Sequence, residues 1–399
     1  MKRLIWAFLL LFCSSLSLAE HKDDADKDAS QFTYDYLFLV EALIRHERYP
    51  EARKELDGLL QRVEEKYEKA LVHQTYGYVS IGLDDYPGAI GHFQQAIKSG
   101  ALPAEVNHNL RYTTAQLLLQ EGKNQAALNL LKRWFADEEK PSLEARVLLA
   151  QIHYSLRQWK PAIHQMELVI KQSPKPHESW YQLLVGLYLE TNQLKPAAKL
   201  LKKMVRLFPD RVSYWQQLSG VLLQLRREKE ASAVMTLAAD KGLLKTTELI
   251  RLARLFLHQN MPLNAAELLS EKIEVGEVDR NVKHLNLLVD AWLLSREPDK
   301  ALAVLDELAK LDRSGRPDLR AGALLLEQER WQEAVDRLQR GLKSSKKPAA
   351  RDWLLLGTAQ IRLDDKEAAI TTFTQALEQA KTKQDKQQAQ RWLEYLNAR

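Results

Sequence analysis

Ten histidines, one cysteine and 53 acidic residues are the side chains with which this chain of 399 residues could ligate a metal or move a proton. Their spacing supports neither role. No His-Glu-x-x-His run occurs, and His153 and His164 are expected in different helices of one hairpin, so the histidines read as scattered surface or packed side chains. Asp24, Asp26 and Asp28 alternate like the start of a calcium loop. The sixth position, however, wants Gly for its sharp turn and is Ala29, and the twelfth wants Glu and is Asp35. Cys13 stands alone, which removes an internal disulfide and a Cys-based metal site. Leu10-Leu11-Phe12 before it lacks the small residue that lipoprotein acylation favours. No Gly-x-Ser-x-Gly elbow, phosphate loop or Gly-rich dinucleotide turn is present. The residues thus predict no enzyme, no cofactor, no metal and no small-molecule substrate.

Charge excludes a further class of partner. The formal net charge is +5, and +3 once Lys2 and Arg3 are set aside, far from the strong positive field of a nucleic-acid binder. One basic stripe stands out: Lys195, Lys199, Lys202, Lys203 and Arg206 are three and four apart and share a helix face. It reads as a solvated face, with anionic lipid or an acidic partner as the other use.

The first residues form a targeting segment. Lys2 and Arg3 precede the apolar run Leu4 to Phe12, and Ser17-Leu18-Ala19 offers small residues for cleavage before Glu20. This is the three-part order of a secretory signal, expected over residues 1–19, and the run is too short to span a bilayer, which takes about 20 apolar residues. A periplasmic protein without a stable membrane span is expected; retention as an uncleaved anchor is the other outcome. Residues 20–32 are polar and charged and read as a leader.

From residue 33 to 380 the chain repeats itself. An Ala precedes an apolar residue by four, and in seven of ten cases follows a polar one by two, at Ala52, Ala89, Ala127, Ala162, Ala197, Ala231, Ala265, Ala301, Ala334 and Ala369, with gaps of 33 to 38 residues. Only 15 Gly and 13 Pro interrupt a composition of good helix formers. A small residue on one helix lets its partner approach closely. Tyr49, Tyr86, Trp159 and Trp331, three residues earlier, fill the space at the turn, and the eight Trp from Trp134 to Trp392 read mostly as core. Residues 381–399 carry Gln384, Lys386, Gln387, Gln388 and Gln390 around a stripe of Trp392, Leu393 and Leu396, and read as a solvating capping helix.

These landmarks resemble the tetratricopeptide repeat, whose period is near 34 residues. Trp353 to Gly357 with Ala369, Phe373 and Ala376 follows that pattern, as do Tyr76-Gly77, Tyr86, Ala89, Phe93 and Ala96, and Trp215, Leu218, Ala231 and Ala238; Pro174 and Pro209 close two repeats. Repeats one, three and seven are the most degenerate. The resemblance implies an all-α, right-handed superhelical solenoid of about ten helix-turn-helix repeats that binds other proteins in its concave groove. It places in that groove Gln74, Tyr78, Tyr112, Gln116, Gln151, Tyr154, Gln182, Gln216, Gln224, Arg254, Asn286 and Asp290. The Lys-Asn clamp with which some members hold a terminal carboxylate is not evident.

A narrower resemblance rests on Leu252 to Leu257, Pro262 to Leu269, Asp290-Ala291-Trp292, Glu297 to Leu302 and Leu207 to Leu218. These runs are similar to the tetratricopeptide component encoded with TonB energy-transduction systems. That resemblance implies an accessory role in iron-siderophore uptake, with partners among ExbB, ExbD and TonB. A scaffold for envelope assembly or export, serving polysaccharide, pilus or outer-membrane protein biogenesis, is the competing expectation.

Overall fold

The computed structural model describes residues 29–398. The expected signal segment, Cys13 and the aspartates Asp24, Asp26 and Asp28 lie outside them. Every described element is a helix. Packing divides the chain into two compact units that part between Gln193 and Leu194.

The first unit holds α1 (Gln31–Arg45), α2 (Tyr49–Leu60), α3 (Lys66–Gly82), α4 (Tyr86–Ser99), α5 (Ala104–Gln120), α6 (Asn124–Asp137), α7 (Leu143–Ser155), α8 (Trp159–Gln172) and α9 (Glu178–Glu190). The second holds α10 (Leu194–Leu207), α11 (Val212–Gln224), α12 (Glu228–Asp240), α13 (Thr246–His258), α14 (Pro262–Glu274), α15 (Val282–Leu294), α16 (Pro298–Leu311), α17 (Arg316–Glu327), α18 (Trp331–Ser344), α19 (Ala350–Arg362), α20 (Lys366–Gln379) and α21 (Lys383–Asn397). Odd-numbered helices up to α19 open a repeat and even-numbered ones close it. Within each unit a helix packs mainly on the helices before and after it in the chain, so each unit is a solenoid of stacked hairpins.

All ten landmark alanines are fully buried, at 0% exposure. Full burial of so small a side chain at the same place in every repeat fits close helix packing there. Gly77 and Gly357 take the idea further. A Cβ on Gly77 would stand 2.2 Å from the Phe93 ring, and one on Gly357 would stand 2.7 Å from Phe373. Trp134, Trp180, Trp215 and Trp292 are buried, and the other four Trp of residues 29–398 are half-buried, so the indoles pack as expected.

The turns inside the hairpins are more uniform than the sequence. Each spans three residues, and in each the residue five before the landmark Ala lies at positive φ. Gly122 holds that place once; elsewhere it falls to Glu47, Asp84, Arg157, Asn192, Arg226, Asn260, Arg296, Glu329 and Asp364. The next backbone N–H then donates five residues back, as Asp85 N does to Ser80 O at 2.8 Å and Arg227 N to Leu222 O at 2.8 Å. This Schellman geometry satisfies carbonyls that a helix end would otherwise orphan. Asp85 and Asp365 cap the following helix from their side chains, accepting from Gly88 N at 3.0 Å and Ala368 N at 3.1 Å.

Helix α1 takes in Gln31 and Phe32, which composition assigns to the leader. The cause is Ser30. It caps α1, and its amide and hydroxyl both donate to Glu68 Oε1, at 2.8 and 2.6 Å, where Thr33 adds a third bond at 2.9 Å. The Ser30 hydroxyl leads in holding the buried Glu68 carboxyl below the usual carboxylate range. The start of α1 is thereby tied to α3.

Candidate functional site

Helix register decides which side chains of an opening helix meet solvent. Counting back from the landmark Ala, Gln74, Tyr112, Gln182, Gln216 and Asn286 stand at fifteen residues, and Tyr78, Gln116, Gln151, Arg254 and Asp290 at eleven. One turn separates the two sets, so they line one helix face.

In the first unit that face changes character along the chain. On α3 and α5 its members are half-buried. Tyr78 sets its ring edge-on against Phe93 at 5.0 Å, and burial pushes its hydroxyl pKa up to about 12. Tyr112 leans on Trp134 at 5.3 Å; its hydroxyl is also pushed up to about 12, by burial first and by the Glu144 charge second. These two rings belong as much to the core as to the surface. On α7 and α9, by contrast, Gln151, Tyr154 and Gln182 are exposed, and Tyr154 stands edge-on to Trp159 at 5.5 Å. Beside Trp159 a cleft of about 490 Å³ opens over Pro161 and Thr191.

In the second unit Gln216 and Gln224 on α11, Arg254 on α13 and Asp290 on α15 are exposed. Asp290 is committed to Arg320, and the amide of Asn286 donates to Val282 O at 2.7 Å. Asp290 apart, the exposed members are amides, one phenol and one guanidinium. Such groups offer donors and acceptors to a peptide backbone without demanding one charge. The basic stripe on α10 is solvent-facing at Lys195, Lys199, Lys203 and Arg206, while Lys202 reaches Glu230 at 2.9 Å.

Two features escape the sequence. His73 on α3 and His92 on α4 meet Nδ1 to Nδ1 at 3.0 Å, with His92 stacked on Tyr76 at 3.9 Å. The ring centroids are 5.2 Å apart, so the nitrogens face each other head-on, and a hydrogen bond between them requires one Nδ1 to donate and the other to accept. The two histidines are nineteen residues apart on different helices, and no spacing rule joins them. The second feature is a cleft against the capping helix, developed below. Among the described residues no group of three or more His, Cys, Asp or Glu side chains could hold a metal ion, and no helix is long and apolar enough to cross a membrane.

Comparison with known families and structures bears on the repeat itself. The family model of the tetratricopeptide repeat matches residues 319–385, and that of subunit 3 of the anaphase-promoting complex, or cyclosome, matches residues 83–169. The chain is built of tetratricopeptide repeats. Together the two matches span less than half of it. Tetratricopeptide proteins bind protein partners, and this chain is a protein-binding scaffold of that kind. No curated protein matches the chain. Among solved structures, a tetratricopeptide repeat protein from Parabacteroides merdae is 13% identical over 83% of this chain and 99% of its own, with a TM-score of 0.37. MamA from Desulfovibrio magneticus is 18% identical over 46% of this chain and 99% of its own, at 0.38. YrrB, described as a tetratricopeptide protein with an unusual peptide-binding site, is 14% identical over 49% of this chain and 100% of its own, at 0.36.

Proposed function

We propose that this repeat array is a periplasmic accessory scaffold of a TonB-dependent iron-siderophore uptake system. In this reading it holds a segment of an envelope partner, drawn from ExbB, ExbD and TonB, along the exposed faces of its opening helices. The recurrence of solvent-facing amides on one face of the opening helices, seven, eleven or fifteen residues before the landmark Ala, at Gln151 and Gln182 in the first unit and Gln216 and Gln224 in the second, carries the binding part of the reading. The secretory pattern of residues 1–19 supports the compartment, and the similarity of Leu252 to Leu257 and Pro262 to Leu269 to TonB-linked repeat proteins supports the system.

Binding through amides and a phenol rests on shape and backbone hydrogen bonds, so it should depend weakly on salt, because screening acts mainly on exposed charges. The test is growth of a deletion strain on siderophores as sole iron source, with co-purification of the TonB complex. Impaired growth, restored by the wild-type gene but not by Gln151→Ala/Tyr154→Ala/Gln182→Ala, is the expected result. Normal growth on every siderophore together with no co-purification overturns the TonB reading. A defect in polysaccharide, pilus or outer-membrane protein export would put envelope assembly in its place.

A further inference from the structure

The face that carries the exposed amides runs on to the last repeat. Thr358 on α19 stands eleven residues before Ala369, as Gln151 does before Ala162, and Arg362 stands seven before it, as Gln224 does before Ala231. At this point α21 lies across from α19 and a cleft of about 1060 Å³ opens between them, above the size typical of a compact ligand site, about 300–1,000 Å³.

Its chemistry is lopsided. The α21 wall presents Gln384, Gln387, Gln388 and Arg391, spaced three, four and seven residues along one helix face. The floor is aromatic: Trp392 is stacked on Phe373, with ring centroids 5.6 Å apart and planes within 10°. Arg362 closes the α19 side, its guanidinium 5.5 Å from the centre of the Trp331 ring. Some arginines of the same unit are matched to acids, Arg280 to Glu307, Arg320 to Asp290, Arg330 to Asp299 and Glu333, and Arg337 to Asp306 and Asp318, while others on its open surface are not. Arg362 and Arg391 make no ion pair among the described residues, although one acid, Asp364, also lines the cleft.

We propose that this cleft docks an acidic, extended peptide segment of a partner protein, its side-chain carboxylates meeting Arg362 and Arg391 and its backbone meeting the three glutamines. Arginine recognises carboxylates through paired N–H donors. Glutamine can both donate to and accept from a peptide backbone, and an aromatic floor seats the aliphatic stems. A phospholipid surface is flat and a nucleic acid calls for a wider cationic field; two guanidiniums offset by Asp364 in a walled cleft suit neither. The inference rests on the reading of the chain as a protein-binding scaffold and names a second site on it, with opposite salt behaviour.

The test is fluorescence anisotropy with the full mature chain and a fluorescein-labelled, end-blocked octapeptide of alternating glutamate and glutamine. The expected result is saturable binding that weakens about tenfold or more in Arg362→Gln/Arg391→Gln and on raising the salt from 50 to 500 mM, where the Debye length shrinks to a few Å. Gln387→Glu, which sets a like charge in the wall, should weaken binding in the same direction. Lys241→Gln/Arg313→Gln removes the same charge elsewhere and should leave affinity unchanged; circular dichroism checks that all variants fold. No binding of the glutamate peptide, equal binding of its lysine counterpart, or an equal loss in Lys241→Gln/Arg313→Gln overturns the proposal. So does tighter binding of an all-glutamine peptide with a free carboxy terminus. None of these outcomes touches the co-purification experiment, so the two readings fail separately.

Discussion

Gly357→Ala is a small change whose sign separates two physical effects. Alanine is the better helix former by about 1 kcal/mol, so propensity alone predicts a gain in stability. Packing predicts the reverse. The added Cβ would stand 2.7 Å from Cε1 and Cζ of Phe373, roughly 1 Å inside an ordinary carbon contact of about 3.5–4.0 Å. The ring has no room to yield, because Phe373 is fully buried and lies against Trp392. Overpacking of a rigid core costs about 1–3 kcal/mol, so the net expectation is a loss of up to about 2 kcal/mol. Gly91→Ala supplies the contrast: it sits within α4 with nothing within 4 Å of its Cβ and should gain about 0.5–1 kcal/mol. Stacked repeats need not unfold in one step. Amide exchange across α19–α21 and α3–α5 should therefore accompany chemical denaturation. Gly357→Ala/Phe373→Leu should lose less than the sum of its parts, since the shorter side chain vacates the overlap. A Gly357→Ala variant more stable than wild type would refute the close-approach argument.

The hairpin turns and the histidine pair give two further expectations. Arg226→Gly relieves a left-handed backbone that costs an L-residue about 1–2 kcal/mol, against about 0.5–1 kcal/mol of glycine entropy, so the denaturation midpoint should rise slightly, whereas Arg226→Val should lower it. Burial holds His73 and His92 below the ordinary histidine value, with His73, Arg53, Asp57 and Asp85 as the charged groups facing His92 and Tyr76 stacked beneath it. Their folded pKa values are depressed, so the stability they lend is present above the unfolded value of about 6.5 and is lost as pH falls through the folded values. Melts between pH 7.5 and 5.5 should show this slope over the second hairpin, and His92→Gln should flatten it; an unchanged slope would remove the pair from the account.

The landmark alanines were legible because a helix crossing admits so few side chains that the same residue returns at each one. The turns were not, because the left-handed position is occupied by Glu, Asp, Arg, Asn and Gly in turn, and its demand is on the backbone. Resemblance placed Tyr78 and Tyr112 on the binding face. Register put them there, but register does not say how far a long ring will fold back onto Phe93 or Trp134. Gln384, Gln387 and Gln388 were read as part of a solvating face. A polar stripe that meets water and one that walls a cleft have the same spacing, and only the helix opposite distinguishes them.

The two kinds of connection in this chain bear on how it can be lengthened or shortened. The turn inside a hairpin is three residues every time and closes with the same hydrogen bond, whereas the links between hairpins run from four residues, at 100–103, to seven, at 275–281. The link is the joint with play. Duplication, deletion or exchange of gene segments cut at the links hands on whole hairpins with their Ala crossings and closing bonds intact. A cut inside a hairpin must rebuild a left-handed turn from new neighbours. The variable links thus mark where such an array can gain or lose length between one lineage and the next.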